Sequence, residues 1–182
     1  MNHPLIALFA ACAPLVHPVT LGALVSVESA ANPYALSINY PQRLAREGRE
    51  LPVLDAQPTS AREALDRTQG FLGQGYTVSV GLAQINVERF AWLKAQGIAR
   101  TLPDLFEPCR NLRAAQAILL ECWDQQPGSA GRASTLRLHR ALSCYNSGNA
   151  VTGLRNGYVR RVTLAAHHLL AAQGLVRRSL TP

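Results

Sequence analysis

Lysine is almost missing from this 182-residue chain: Lys94 stands alone among 18 basic residues, and the other 17 are arginine. Acids are scarce too, with 11 carboxylates, none before Glu28 and none after Asp124. Charged residues make up 16% of the chain and apolar residues 48%. A composition with so little charge and so much apolar surface to bury does not describe a generally disordered chain. Long apolar runs are lacking as well, because Pro14, His17 and Pro18 interrupt the N-terminal candidate short of the ~20 residues that a membrane helix needs. No membrane span is expected.

Several familiar signatures are also missing. There is no Gly-rich phosphate loop before a helix, no HExxH, no CxxC and no GxSxG. His167 and His168 are adjacent, so on a helix they point about 100° apart and do not readily share one metal. Neither a metal nor an organic cofactor is expected. Charge, by contrast, is placed unevenly. Residues 125–182 carry eight arginines and no acid, within a formal net charge of +7. Such a region implies an anionic partner: nucleic acid, lipid headgroups or an acidic polymer such as cell wall. Tyr145 and Tyr158 are its only aromatic residues, too few for base stacking, which disfavours nucleic acid.

The length suits one domain over 1–182 with a proper core. Met1 to Val16 has no basic start and no obvious cleavage site, so it reads as a first helix and not as a clear signal peptide. Export then needs a separate leader or another route. Pro18 opens a second helix through Leu21, Leu24, Val25 and Glu28, ended by Asn32-Pro33. Residues 39–58 read as an irregular surface excursion, and Ser60-Ala-Arg-Glu63 as a capping box opening the next helix. Tyr76, Val78 and Val80 alternate with Thr77 and Ser79, giving a short strand or hairpin arm. Short helices follow at 87–96, then Asn111–Trp123 and Ser134–Tyr145 as an antiparallel hairpin, then a last helix from Tyr158 to Leu175. The fold class is mainly α, with a small β-hairpin.

Glu28 has the most apolar neighbourhood of any carboxylate here, following Leu24-Val25-Ser26-Val27. Desolvation disfavours the ionised form, so its pKa is expected to be raised, as a general acid requires. An ordinary glutamate near a helix end is the plain alternative. The surrounding residues favour chemistry. Glu28-Ser29 with Asn32-Pro-Tyr-Ala35, Gly81-Leu-Ala-Gln-Ile-Asn86, Ala141-Leu-Ser-Cys-Tyr-Asn-Ser-Gly148 and Gly157-Tyr-Val-Arg-Arg-Val162 stand in that order. Together they resemble the motifs of lytic transglycosylases with the goose-type lysozyme-like fold, over residues 28–162. Glu107-Pro-Cys109-Arg-Asn111, Cys122 and Ser143-Cys-Tyr-Asn-Ser-Gly-Asn149 resemble the type IV secretion and conjugation (VirB-type) branch. Ala83 departs from the methionine usual in the second motif.

The resemblance implies a single-acid reaction on peptidoglycan. A two-carboxylate glycosidase needs its acids roughly 5 to 9.5 Å apart, and the motif segments offer no second acid except Glu88 beside one of them. Glu28 is implied as the acid that opens the MurNAc–GlcNAc bond and then as the base that closes a 1,6-anhydro ring. Ser29 and Gln84 are implied to bind substrate or orient Glu28, and Tyr145 and Asn146 to line the cleft. Helix capping is the plain alternative for Ser29 and Asn146, and core packing for Tyr145. The implied setting is the periplasm, with type IV secretion or conjugation components as partners. The runner-up readings are a noncatalytic wall-binding or assembly protein of the same fold, and a goose-type lysozyme-like hydrolase.

The antiparallel hairpin also suggests a cysteine pairing. Cys109 precedes its first helix and Cys144 ends its second, so the two fall at one end, and Cys122 falls at the other. The expected bonds are Cys109–Cys144 and Cys12–Cys122, in an oxidising compartment, with free buried thiols as the alternative.

Overall fold

The structure, a computed structural model, describes residues 3–39, 46–48, 50–127 and 132–179. The backbone divides into two compact units: Glu28–Ala114, and a helical unit made from Met1–Val27 and Ala115–Pro182.

In the helical unit, α1 (His3–Cys12) and α2 (Pro18–Ser29) are separated where the prolines predicted a break. Proline opens α2 without loss, because the first-turn N–H has no partner inside a helix. His17 supports the start, its Nδ1 accepting from the Val19 N–H at 3.2 Å. Val19, Leu21, Ala23, Leu24 and Val25 are buried on α2, which is interior over its first two turns and meets solvent from Ser26 onward. The remaining helices are α5 (Pro108–Asp124), α6 (Arg132–Ser147), α7 (Thr152–Arg155) and α8 (Tyr158–Ser179). Ser143 knots α6 to α7, donating to the Asn149 carbonyl at 2.8 Å and accepting from the Gly153 N–H at 2.8 Å. A Cβ on Gly153 would lie 2.6 Å from the Ser143 Cα, so only glycine allows this approach.

The expected Cys109–Cys144 and Cys12–Cys122 bonds are corrected here. Cys122 is bonded to Cys144, with Cα atoms 5.7 Å apart; Cys12 and Cys109 are disulfide-bonded as well, and no thiol is free. The reason lies in how α6 meets α5. Arg137 reaches Asp124 at 3.7 Å and donates to the Trp123 carbonyl at 3.0 Å, while Cys144 joins Cys122. Residues seven apart on one face of α6, about 10 Å along its axis, therefore meet the same end of α5. α6 passes across that end instead of running back along α5 as a hairpin.

The Glu28–Ala114 unit contains a three-stranded antiparallel sheet in the order β1 (Leu36–Asn39), β2 (Thr77–Val80), β3 (Ile85–Asn86). The sequence reading found β2 and missed β1. Leu36 pairs with Val80 and Asn39 with Thr77, while Ser79 pairs with Asn86. Because β2 is central, all four of its residues are buried, and the expected in–out alternation disappears. Thr77 and Ser79 satisfy their hydroxyls sideways, with Asn86 at 3.0 Å and Asn39 at 2.9 Å.

Asn39 thus belongs to a strand and not to the excursion assigned to 39–58. Of that stretch, residues 40–45 and 49 lie outside the described residues. Two points of the rest are pinned: Gln57 accepts from the Leu36 N–H at 2.8 Å and donates to the Leu36 carbonyl at 3.0 Å, and Tyr76 donates to the Glu50 carbonyl at 2.8 Å. α3 (Ala61–Gly73) opens at Ser60 as expected, the Glu63 N–H donating to its hydroxyl at 3.2 Å. The Glu63 carboxylate reaches one residue further back, accepting from the Thr59 N–H at 2.9 Å. α4 (Phe90–Ala95) follows a 3-10 turn at Val87–Arg89 and ends before Gly97 at φ 69°. A second 3-10 turn, Leu102–Phe106, leads into α5.

Candidate active site

Three non-glycine residues among those described have left-handed backbones: Ala30 at φ 50°, Ala31 at φ 64° and Gln84 at φ 50°. Each costs about 1–2 kcal/mol relative to a right-handed residue. All three lie in or beside the Glu28 and Gly81–Asn86 motifs. Strain concentrated in this way persists only where surrounding interactions over-determine it, and the surrounding interactions here can be named.

Glu28 is half-buried on the last turn of α2. Its neighbour Ser29 donates its hydroxyl hydrogen to the Leu82 carbonyl at 2.7 Å, which ties the helix end to the second motif. The chain then reverses through Ala30 and Ala31. The Asn32 N–H donates to the Ser29 carbonyl at 3.0 Å, and the Asn32 side chain accepts from the Tyr34 N–H at 2.9 Å. Asn32 therefore closes the turn in the manner typical of that residue.

Gly81 stands at φ 79°, and its N–H donates to the Ala35 carbonyl at 2.9 Å. A Cβ here would drive into the Asn111 carboxamide and lie 2.8 Å from the Leu105 carbonyl. Gln84 is fully engaged: its Nε2 donates to the Ala35 and Gly81 carbonyls at 2.9 and 3.0 Å, and its Oε1 accepts from the Ser37 hydroxyl at 2.8 Å. The carboxamide braces the first motif against the second, which fits the orienting role better than direct substrate binding.

Asn111 is the residue whose part the sequence reading missed. It is 1% exposed and sits on the first turns of α5. Its Oδ1 accepts from the Ala83 N–H at 2.8 Å, and its Nδ2 donates to the Val80 and Leu105 carbonyls at 2.9 and 2.7 Å. Asn111 thus holds the Gly81–Ala83 turn from below, and the turn holds Ser29. Its position offered a signal: it shares an apolar stripe with Ala115, Leu119 and Cys122, and a polar residue on such a stripe is buried and bonded.

The remaining expected site residues belong to the helical unit. Tyr145 is half-buried and Asn146 exposed on the last turn of α6, and the Asn146 Oδ1 accepts from the Asn156 Nδ2 at 3.0 Å. Glu88 lies at the start of a 3-10 turn, its N–H donating to the Asn86 side chain at 2.9 Å. Among the described residues no three His, Cys, Asp or Glu gather as metal ligands, and no helix is long and apolar enough to cross a membrane.

The transglycosylase SLT domain, as a family, matches residues 6–163. The chain belongs to that family. Among the relatives of this SLT chain, the type IV secretion system protein virB1 of Brucella suis biovar 1 is 34% identical over 172 residues, covering 90% of this chain and 64% of the relative. The protein virB1 of Agrobacterium fabrum is 33% identical over 159 residues, covering 87% and 58%. The protein virB1 of Rhizobium radiobacter is 34% identical over 163 residues, covering 88% and 60%. The chain therefore spans under two thirds of the length of these curated relatives. No solved structure matches it. The mainly α, lysozyme-like fold class expected from the motifs is that of the family, with a three-stranded sheet where a hairpin was expected.

Proposed function

We propose that the chain is a peptidoglycan lytic transglycosylase that opens the wall locally for a type IV secretion or conjugation channel. The observation that carries this reading is the strained, hydrogen-bonded frame around Glu28: Ala30, Ala31 and Gln84 are left-handed, and Ser29, Gln84 and Asn111 tie the two motifs together. Enzymes hold catalytic groups by this kind of over-determined local geometry. Membership of the SLT family and likeness to virB1 proteins named for type IV secretion supply the context. Oxidised cysteines fit the periplasm.

In the proposed reaction Glu28, protonated, gives its proton to the glycosidic oxygen of the MurNAc–GlcNAc link as the bond to the muramoyl C1 breaks. The substrate's own 2-acetamido group shares the positive charge left on C1. The Glu28 carboxylate then takes the proton of the muramoyl C6 hydroxyl, whose oxygen closes on C1. One C–O bond is lost and one formed, the proton returns to Glu28, and no water is consumed. Ser29 and Gln84 position the acid. Tyr145 and Asn146 are assigned to the substrate.

Mass spectrometry of products from purified sacculi tests this. The wild type is expected to release 1,6-anhydro muropeptides, and Glu28→Gln to release them at least ~1000-fold more slowly, as general acid–base loss predicts. Reducing ends in place of anhydro ends would make it a hydrolase. Wild-type rates from Glu28→Gln would remove Glu28 from the chemistry.

A further inference from the structure

A polar cleft of about 350 Å3 opens between the end of α4 and the start of α5; it is lined by Gly97, Arg100, Glu107, Cys109, Arg110 and Arg113 and by none of the residues assigned to catalysis. Its three arginines are not equivalent. Arg110 is held by Asp104 at 3.0 Å and by Glu107 at 3.8 Å, so its charge is already met and it forms a wall. Glu107 is further occupied, accepting from the Cys109 and Arg110 N–H groups at 3.1 and 2.9 Å. Asp104 turns the other way as well, accepting from the Arg100 and Thr101 N–H groups at 2.7 and 3.1 Å. Both carboxylates near the cleft are therefore committed to backbone caps. Arg100 and Arg113 are exposed and make no ion pair among the described residues.

We infer that this cleft is a carboxylate-binding site for the stem peptide of peptidoglycan, with Arg100 and Arg113 as its two recognising groups. The inference rests on the proposed function for the polymer and on the cleft for the part of it. The glycan strand is uncharged once its lactyl groups carry peptides, and its carboxylates sit on those peptides. Guanidinium forks match carboxylates in two parallel hydrogen bonds. A cleft of this volume takes a few residues of peptide and not a protein face. The turn at Gly97 has nothing near its Cβ position, leaving the entrance open.

The test is binding of three probes to the full chain, read by NMR at the amides of residues 97–113: a disaccharide-tetrapeptide muropeptide, the same disaccharide without peptide and with its lactyl carboxyl amidated, and inorganic phosphate. The muropeptide is expected to shift Gly97, Arg100 and Arg113, and the bare disaccharide to leave them unmoved. The double variant Arg100→Ala/Arg113→Ala should bind the muropeptide at least about tenfold more weakly, the loss of a charge-assisted hydrogen bond. Arg100→Lys/Arg113→Lys, which keeps the charge and loses the fork, should fall between. Equal shifts from the bare disaccharide, equal affinity for phosphate, or unchanged muropeptide affinity in the double variant would each overturn the assignment. Intact binding without anhydro products would sink the transglycosylase reading alone, and anhydro products without this binding would sink the cleft alone.

Discussion

The segment from Glu28 to Ala114 carries nine carboxylates against ten basic residues, whereas the two chain ends forming the helical unit carry two against eight arginines. The carboxylates of the first are used locally. Glu63, Asp104 and Glu107 each cap backbone N–H groups and each meets an arginine, Arg67 or Arg110. The second region has few acids to offer, and its order comes by other means: a covalent bond from Cys122 to Cys144, the Ser143 knot, and Arg137 lying 4.4 Å over the Trp123 ring. Arg155 and Arg160 there are exposed, and no ion pair is seen for them among the described residues. One region places backbone turns to within a hydrogen bond; the other joins helices and presents positive charge. Turn placement and positive charge are thus kept in different parts of the chain.

The sharpest way to break the hydrogen-bonded region is Gly81→Ala. The methyl group would meet the Asn111 carboxamide and the Leu105 carbonyl while φ stays at 79°. Left-handed strain and the collision together should destabilise by about 3–4 kcal/mol. Urea denaturation measures it, and a loss under ~1 kcal/mol would mean that the turn relaxes without harm. Activity should fall further than stability, because the displaced turn carries the Leu82 carbonyl that holds Ser29.

The helical region offers the matching experiment. Cys122→Ser/Cys144→Ser opens a loop of sequence separation 22, worth about 3 kcal/mol by loop entropy. Thermal unfolding should move down, while product release per folded molecule at 25 °C should stay within twofold of wild type. Equal damage to rate and stability would erase the distinction between a region proposed to position the acid and a cross-link that serves the fold alone.

Which parts of this were legible follows from what residues announce. Pro18, Ser60 and Gly97 are punctuators whose chemistry acts locally, and helices begin or end at them as read, whereas α2 stops at Ser29, short of Asn32-Pro33, where Ala30 and Ala31 turn left-handed. β1 carries no such mark. Four residues, Leu36–Asn39, are too few to show a period, and their pairing with β2 spans about forty positions. Alanine says nothing of a left-handed backbone, so the strain at Ala30 and Ala31 was invisible, although Glu28 beside it was not. The cysteine pairing failed because hairpin length does not fix a crossing angle. Only the contact of both Arg137 and Cys144 with one end of α5 shows that angle.

Acid provides the gentlest probe of the contrast. The Asp104 carboxyl is held below its ordinary value of 3.8, first by the Arg100 N–H; burial opposes this next in strength, and the Thr101 N–H and the Arg110 charge add to the lowering. A depressed carboxylate stabilises the fold fully above the unfolded value, and that stability is lost as pH falls through the folded one. The window therefore opens below about pH 4. Asp104→Asn should lower stability at pH 6 by well under ~1 kcal/mol, since solvent screens a surface group, and the gap to wild type should close by pH 2.5. A gap constant with pH would assign Asp104 a packing role and not an ionic one. Glu63, lowered chiefly by the Thr59 N–H, should behave alike. Residues 132–179 hold no acid at all. Hydrogen exchange at low pH should therefore loosen 59–67 and 100–110 first and α6 later, because the contact that Arg137 of α6 makes with Asp124 is long, at 3.7 Å, and exposed.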